Sequence, residues 1–289
     1  MRPRFRALGM CVVCFRLRRQ LQLTGNWGEN RKLAGPGGDL PVRIYIPFGK
    51  GPFPVVLYFH GGGWVIGGIE SSDGLCRSLA NASGCIVVSV DYRLAPEHPF
   101  PAAVDDAFYA TLWAAENASS FGGDPSRIAV SGDSAGGNLA AVVAQIARDR
   151  GKPAIGFQLL IYPVTDGACD TPSYSENAEG YFLTRDAMQW FWNHYVPKEA
   201  DRSQPYASPL RASNLAGLPA ALVITAEFDP LRDEGERYAE GMRTAGTPVQ
   251  LTRYDGMIHG FFAMSAIIDQ GRTAIQQSAA ALRTAFKLK

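Results

Sequence analysis

The stretch Arg127-Ile128-Ala129-Val130-Ser131-Gly132-Asp133-Ser134-Ala135-Gly136 decides how the chain is read. A short apolar run ends in Gly-Asp-Ser-Ala-Gly, and the Ala-rich segment Ala135–Arg150 follows with helical spacing. A serine on a sharp strand-to-helix turn holds a strained backbone conformation. Residues two places to either side of it come close together, so both must lack side chains. Gly132 and Gly136 meet that demand. The new helix aims N–H groups and its positive dipole end at the serine oxygen. With 31 glycines in the chain, G-x-S-x-G arises by chance in roughly one chain in five. The bland alternative is a glycine-rich connection, and the strand–turn–helix order is what favours a nucleophile at Ser134.

Outward from that turn, short apolar runs alternate with longer helical patterns. Strands are expected at Val42–Ile46, Val55–Phe59, Ile86–Val90, Ile128–Val130, Phe157–Ile161, Ala221–Thr225 and Val249–Tyr254. Most of the later runs are continuous rather than alternating, as in parallel strands buried on both faces. Helices are expected at Ala103–Asn117, Ala135–Arg150, Arg232–Ala245 and Arg272–Phe286. The fold class is therefore α/β, a mostly parallel sheet flanked by helices. The connection between Phe157–Ile161 and Ala221–Thr225 is far longer than a crossover needs. It reads as an insertion over one end of the sheet, at about 165–215. Its aromatic residues Tyr181, Phe182, Trp190, Phe191, Trp192 and Tyr195 are either helix core or a substrate-facing wall, and core is the commoner fate of each.

A second motif, His60-Gly61-Gly62-Gly63-Trp64, follows Val55–Phe59. Backbone N–H groups reach a substrate oxygen only where side chains do not intrude, and three glycines provide that access. A phosphate-binding loop is the rival reading. It lacks the following Gly-Lys-Ser/Thr and the G-x-G-x-x-G of a dinucleotide site. His60 reads as a residue that shapes the loop.

A serine nucleophile needs an imidazole to take its proton and a carboxylate to orient the imidazole. Of the four histidines, His60 belongs to the glycine loop, His98 lies among prolines and His194 sits in the aromatic segment. His259, just past the last strand run, occupies the place where open α/β sheets build their sites. Asp229 stands just past Ala221–Thr225, with Glu227, Asp233 and Asp255 as rivals. Asp233 reads as the start of a solvated helix face, and Asp255 is too close to His259 for a separate strand end to present it. The order Ser134, Asp229, His259 is that of α/β-hydrolases.

From about Ala34 onward the sequence resembles the hormone-sensitive-lipase-like family of α/β-hydrolase carboxylesterases. The motifs are His60–Trp64, Asp91-Tyr92-Arg93-Leu94-Ala95-Pro96-Glu97, Gly132–Gly137, Asp229-Pro230-Leu231-Arg232-Asp233 and His259-Gly260-Phe261. The resemblance implies a triad of Ser134, Asp229 and His259, and an oxyanion hole from the N–H groups of Gly62, Gly63 and Ala135. It also implies ester substrates of short to medium acyl chain, tolerance of bulky alcohol groups, no cofactor, and a helical cap. Family members carry a longer helical segment ahead of the matching region. Residues 1–33 are instead arginine-rich, which implies a reduced cap over the 34–289 catalytic domain and a more open pocket. Such proteins are often dimers, and Val249–Tyr254 is the expected edge for a second copy to cover.

Composition narrows the alternatives. The chain has 289 residues, 46% hydrophobic and 19% charged, enough apolar material for a large core. A net charge of +1 offers no basic excess for phosphates, so nucleic acid is not the expected partner. No apolar run approaches a membrane span, and no stable membrane insertion is expected. Arg2, Arg4 and Arg6, the apolar run Ala7–Phe15, then Arg16, Arg18 and Arg19 hint at a secretory signal. Arginines stand where the small residues of a cleavage site belong, and a frayed terminus is favoured over a surface helix. Five cysteines do not make a disulfide framework. Cys11 and Cys14 form a C-x-x-C with no second pair or nearby histidine, so no metal is expected. Reduced thiols and a cytoplasmic location are the expectation. Two rival functions remain: an amidase or formamidase on the same fold, and a ligand-binding receptor on a hydrolase scaffold.

Overall fold

A computed structural model describes residues 28–288. The Cys11/Cys14 pair and the arginine-rich run lie outside the described residues. Eight strands form one sheet: β1 (Glu29–Gly35), β2 (Gly38–Tyr45), β3 (Phe53–Phe59), β4 (Ile86–Val90), β5 (Gly123–Asp133), β6 (Phe157–Ile161), β7 (Ala221–Phe228) and β8 (Val249–Ile258). Their order is β1-β2-β4-β3-β5-β6-β7-β8. The pairs β1–β2 and β2–β4 are antiparallel, and every later pair is parallel. The helices are α1 (Ile69–Ser83), α2 (Ala102–Asn117), α3 (Ala135–Arg150), α4 (Pro172–Glu176), α5 (Arg185–Tyr195), α6 (Arg232–Thr244) and α7 (Asp269–Ala285).

The continuous apolar runs are strands because both faces of the sheet are covered. Val55, Leu57 and Phe59 of β3 join one core, and Val56 and Tyr58 join the other. The same alternation divides Ile86, Val88 and Val90 from Val87, and Ile128 and Val130 from Ala129. Helices α2, α3 and α6 supply Ala110, Leu139 and Tyr238 to the first core. Helices α1 and α7 supply Leu79 and Leu282 to the second. Helix α3 is buried from Ala135 through Ala147, so its small Ala-rich surface lets it lie deep against the sheet.

Outside the insertion, whose helices α4 and α5 were given no bounds, two elements escaped the sequence reading. Strand β1 reads Glu-Asn-Arg-Lys-Leu-Ala-Gly, an edge strand whose charges face solvent and whose sole buried side chain is Leu33. It begins at Glu29, ahead of the Ala34 boundary expected for the catalytic domain. Helix α1 carries four serines with one Asn and one Gly, and buries a stripe of Leu75, Cys76, Leu79 and Ala80. Strands β7 and β8 also run further than expected, to Phe228 and Ile258.

Strand order places the site. β3 has β4 on one side and β5 on the other, so the order reverses between β3 and β5, and the carboxyl ends of strands at such a reversal are where open α/β sheets hold their sites.

Candidate active site

Register builds the site from backbone alone. In the β3–β5 ladder Phe59 pairs with Gly132, so the His60–Trp64 loop and the Ser134 turn leave the sheet side by side. In the β7–β8 ladder Phe228 pairs with Ile258, and the next residues of the two strands are Asp229 and His259. A register shift between Ala226 and Phe228 precedes that pair and re-aims the strand end.

The Ser134 turn carries the strain its motif implies. Ser134 has φ 56° and ψ −118°, outside the regions most side chains accept. A side chain on Gly132 would strike the Gly136 backbone, and one on Gly136 would strike the Phe59 carbonyl. Ser134 N–H donates to Ile161 O at 2.9 Å, and Ser134 O accepts from Asn138 N and Val164 N. The hydroxyl is thereby carried on a backbone held by the end of β6, the first turn of α3 and Val164.

The structure brings Ser134, Asp229 and His259 together. His259 Nε2 lies 3.0 Å from Ser134 Oγ, and His259 Nδ1 lies 2.7 Å from Asp229 Oδ2. The other Asp229 oxygen, Oδ1, accepts the Leu231 N–H at 2.9 Å. Asp229 is 0% exposed, His259 6% and Ser134 7%. With Nδ1–H donated to the carboxylate, Nε2 carries the lone pair that faces the serine hydroxyl. The imidazole packs against the Tyr162 ring at 4.5 Å between centroids. Tyr162 has φ 34° just past β6, and burial pushes its phenol well above the usual range.

The rivals sit elsewhere. Glu227 accepts the Gly256 N–H at 2.6 Å, and Asp255 lies within β8. Asp233 is not on a solvated helix face: it accepts the Ser173 N–H at 2.8 Å and pairs with Arg232. His98 is exposed, and His194 packs on Trp190 within α5. His60 shapes its loop, with Nδ1 2.7 Å from Gly61 O and its ring stacked on Tyr92 at 4.3 Å. Burial lowers its pKa, which keeps it neutral.

The glycine loop has a distinct need at each position. Gly62 (φ 118°) and Gly63 (φ 59°) take left-handed conformations, and the Phe191 ring occupies the space a side chain on Gly63 would fill. Gly62 O accepts from Val65 N and Ile66 N, and Trp64 O accepts from Ala95 N at 2.9 Å. Among the described residues no hydrogen bond uses the N–H of Gly62 or Gly63. Ala135 N–H lies at the first position of α3, where no intrahelical partner exists. Trp64 is stacked on Tyr195 at 4.1 Å and packs against Trp192, which docks the loop onto α5.

The insertion's aromatic residues divide. Trp192 and Tyr195 are core, whereas Phe182 is 50% and Trp190 46% exposed, and Phe191 lies between the two classes. Phe182 and Phe191 lie over the loops that carry His259 and the glycine run. A Cβ on Gly260, next to His259, would meet Phe182 at 3.3 Å, and Phe191 covers Gly63. The sequence reading gave no role to Asp133, Tyr58, Tyr92 or Tyr162, which lie around the nucleophile turn and the glycine loop, or to Glu234, buried at the root of the insertion. Asp133 and Tyr92 lie inside quoted motifs and Glu234 directly follows one, whereas Tyr58 and Tyr162 carried no signal of their own. Among the described residues no group of three or more His, Cys, Asp or Glu is arranged to hold a metal ion, and no helix is long and apolar enough to cross a membrane.

A family model described as alpha/beta hydrolase fold matches residues 56–263. Carboxylesterase NlhH of Mycobacterium tuberculosis (strain CDC 1551 / Oshkosh) is 47% identical over 253 residues, covering 86% of this chain and 79% of that protein. Among solved structures, the hyperthermophilic esterase of the archaeon Pyrobaculum calidifontis has a TM-score of 0.89 at 47% identity, covering 94% of this chain and 87% of that one. The thermostable carboxylesterase EstE1, cloned from a metagenomic library, has a TM-score of 0.91 at 44% identity, covering 95% and 94%. Sheet order, strand-end geometry and these likenesses agree: the chain belongs to the alpha/beta hydrolase family, in the hormone-sensitive-lipase-like group of esterases its motifs resemble.

Proposed function

We propose that this carboxylic ester hydrolase works by two-step acyl transfer on Ser134, with His259 as general base and acid and Asp229 as its orienting carboxylate. The observation that carries the reading is the hydrogen-bond relay from Asp229 through His259 to Ser134. Neutral His259 takes the Ser134 proton as Oγ attacks the ester carbonyl. The oxyanion that forms accepts hydrogen bonds from Gly62, Gly63 and Ala135 N–H groups, each worth about 3 kcal/mol of barrier. Protonated His259 then gives its proton to the departing alcohol, leaving an acyl-serine. Water repeats the cycle: His259 takes its proton, hydroxide adds to the acyl carbon, and Ser134 recovers its proton as the acid leaves. Asp229 stays ionised and stabilises the imidazolium. No cofactor takes part.

Substrates are esters of short to medium acyl chain. The 34–289 segment is read as the catalytic domain, with 165–215 as a cap whose Phe182 and Phe191 lie over the loops of the site. A second copy covers the free edge of β8, which pairs on one side only with β7. The unpaired thiols Cys76, Cys85 and Cys169 suit a reducing compartment, and a cytoplasmic location is the reading.

The test is Ser134→Ala assayed on nitrophenyl butyrate beside a fluorophosphonate probe. Loss of turnover and of labelling is expected. Wild-type rates from the variant refute the assignment of Ser134.

A further inference from the structure

We propose that Asp133 is a positioning residue: its carboxylate, one residue ahead of the nucleophile, grips the Gly61 N–H and so sets the oxyanion loop relative to Ser134. The inference rests on the serine-esterase reading above and adds a residue to it.

The sheet's own hydrogen bonds stop short of the reaction centre. Phe59 and Gly132 are the last pair of the β3–β5 ladder. Beyond them the loop and the nucleophile turn separate, and backbone pairing no longer ties one to the other. Asp133 Oδ1 bridges that gap. It accepts the Gly61 N–H at 2.9 Å and the Tyr58 hydroxyl at 2.7 Å, so one oxygen holds residues on both sides of the strand end. The other anchors of the loop lead away from Ser134. Tyr92 OH donates to His60 O at 2.7 Å, Ala95 N–H donates to Trp64 O, and Val65 and Ile66 N–H close on Gly62 O. Those bonds shape the loop and fasten it to residues 92–95. They leave its distance from the serine to Asp133.

This accounts for the first glycine of the run. Gly61 has no positive φ to explain it. A Cβ there would instead overlap the Asp133 carboxylate and lie 3.1 Å from the Asp133 carbonyl. Its N–H is already spent on the carboxylate, which leaves the next two amides to face the substrate oxygen. Gly61 is the loop's attachment point, and Gly62 and Gly63 are its working donors. An oxyanion amide displaced by a few tenths of an ångström stabilises the transition state less and the bound ester hardly at all. The signature of a lost Asp133 is therefore a fall in kcat with KM preserved.

The experiment compares Asp133→Ala and Asp133→Asn in the full chain on nitrophenyl butyrate, alongside wild type and Ser134→Ala. Asn keeps an oxygen where Oδ1 stands and removes the charge. Asp133→Ala is expected to lower kcat about 10²-fold, the order measured for a lost oxyanion donor, with KM within about threefold. Asp133→Asn is expected to recover kcat to within about fivefold of wild type. Should the Ala variant fail to fold, Asp133→Ser, too short to reach Gly61, takes its place with the same expectation. Unchanged kcat in the folded Ala or Ser variant overturns the proposal, as does a rise in KM alone, or an Asn variant as slow as the Ala variant. The controls separate the two readings: if Ser134→Ala retains wild-type turnover, the esterase assignment itself has failed. If that variant is inert while Asp133→Ala matches wild type, only the positioning role has.

Discussion

The carboxyl ends of β5, β7 and β8 and the insertion between β6 and β7 meet around the glycine loop and the turn after His259, and they are built by different means. The strand ends are placed by register: Phe59 opposite Gly132, Phe228 opposite Ile258, and the next residues fall into reacting distance. The insertion is held by side chains. Trp192 and Tyr195 pack on Trp64, and Glu234 and Asp233 accept backbone N–H groups of residues 165, 166 and 173. A backbone ladder tolerates few changes and fixes chemistry. Side-chain docking tolerates many and leaves the shape of the pocket free to vary. The difference predicts that bond-breaking and selectivity reside in separable parts, and mutation can test that separation.

The largest effects belong to the strand ends. Ser134→Ala should lower kcat for nitrophenyl butyrate by about 10⁶-fold, the scale seen when a triad serine is removed elsewhere. Its thermal midpoint should barely move, because the turn is held by backbone bonds from Ser134 N and O. Asp229→Asn comes next, at about 10⁴-fold in kcat. The amide oxygen can still accept from Leu231 N–H, but its NH₂ then faces His259 Nδ1 and forces the wrong tautomer. Stopped-assay kinetics on purified variants check both. A tenfold loss or less at either position would mean the strand ends do not carry the chemistry alone.

The insertion should answer in stability first. Trp192→Ala removes a fully buried ring that packs on both Trp64 and Tyr195, and a loss of about 3–5 kcal/mol is expected in urea unfolding. Phe182→Ala is a smaller and sharper test. Phe182 is half exposed and lies over Gly260, the residue after His259, on the side where the proposed mechanism releases the alcohol. Its loss should shift kcat/KM between a phenyl ester and a methyl ester of the same acid by roughly tenfold, the worth of a methylene or two in an apolar wall. A parallel loss on both esters would place Phe182 in the chemistry and erase the contrast.

How much of this was legible in the sequence follows the same division. The grouping of Ser134, Asp229 and His259 could be anticipated because each follows an apolar strand-like run by four or five residues, where the run gives way to polar residues and glycine. Strand β1 could not, because an edge strand with one buried side chain has no apolar run to show. Within the insertion the aromatic residues were visible, but not which were core. Trp192 and Trp190 are two residues apart on one helix and face opposite ways, and only the partner across the gap, Trp64, decides it. Asp233 looked like an exposed helix start and turned inward because Ser173 of α4 needed an acceptor. Asp133 looked like the spacer of a five-residue motif. Contacts between distant segments leave no local trace.

The finest test of the contrast is at Glu234, where the two regions are sewn together. Its carboxyl is 0% exposed, and Oε1 accepts the N–H groups of Thr165 at 2.6 Å and Asp166 at 3.2 Å, at the root of the insertion. Burial pushes the Glu234 carboxyl well above its ordinary value of 4.5. Above that ordinary value the unfolded chain releases this proton while the folded chain keeps it. Folding therefore takes up a proton, and this group's contribution to stability falls as pH rises until the folded value is passed, by at most about 1.4 kcal/mol per pH unit. Glu234→Gln keeps an oxygen for both backbone donors, places an NH₂ where the acid hydroxyl stood, and does not ionise. Urea midpoints at pH 5 and pH 8 should therefore diverge. The variant should gain on wild type as pH rises, while kcat at either pH stays within about threefold because no reacting atom has moved. Parallel midpoints would mean that Glu234 is ionised in the fold. A large loss of kcat would mean that the root of the insertion reaches the strand ends after all.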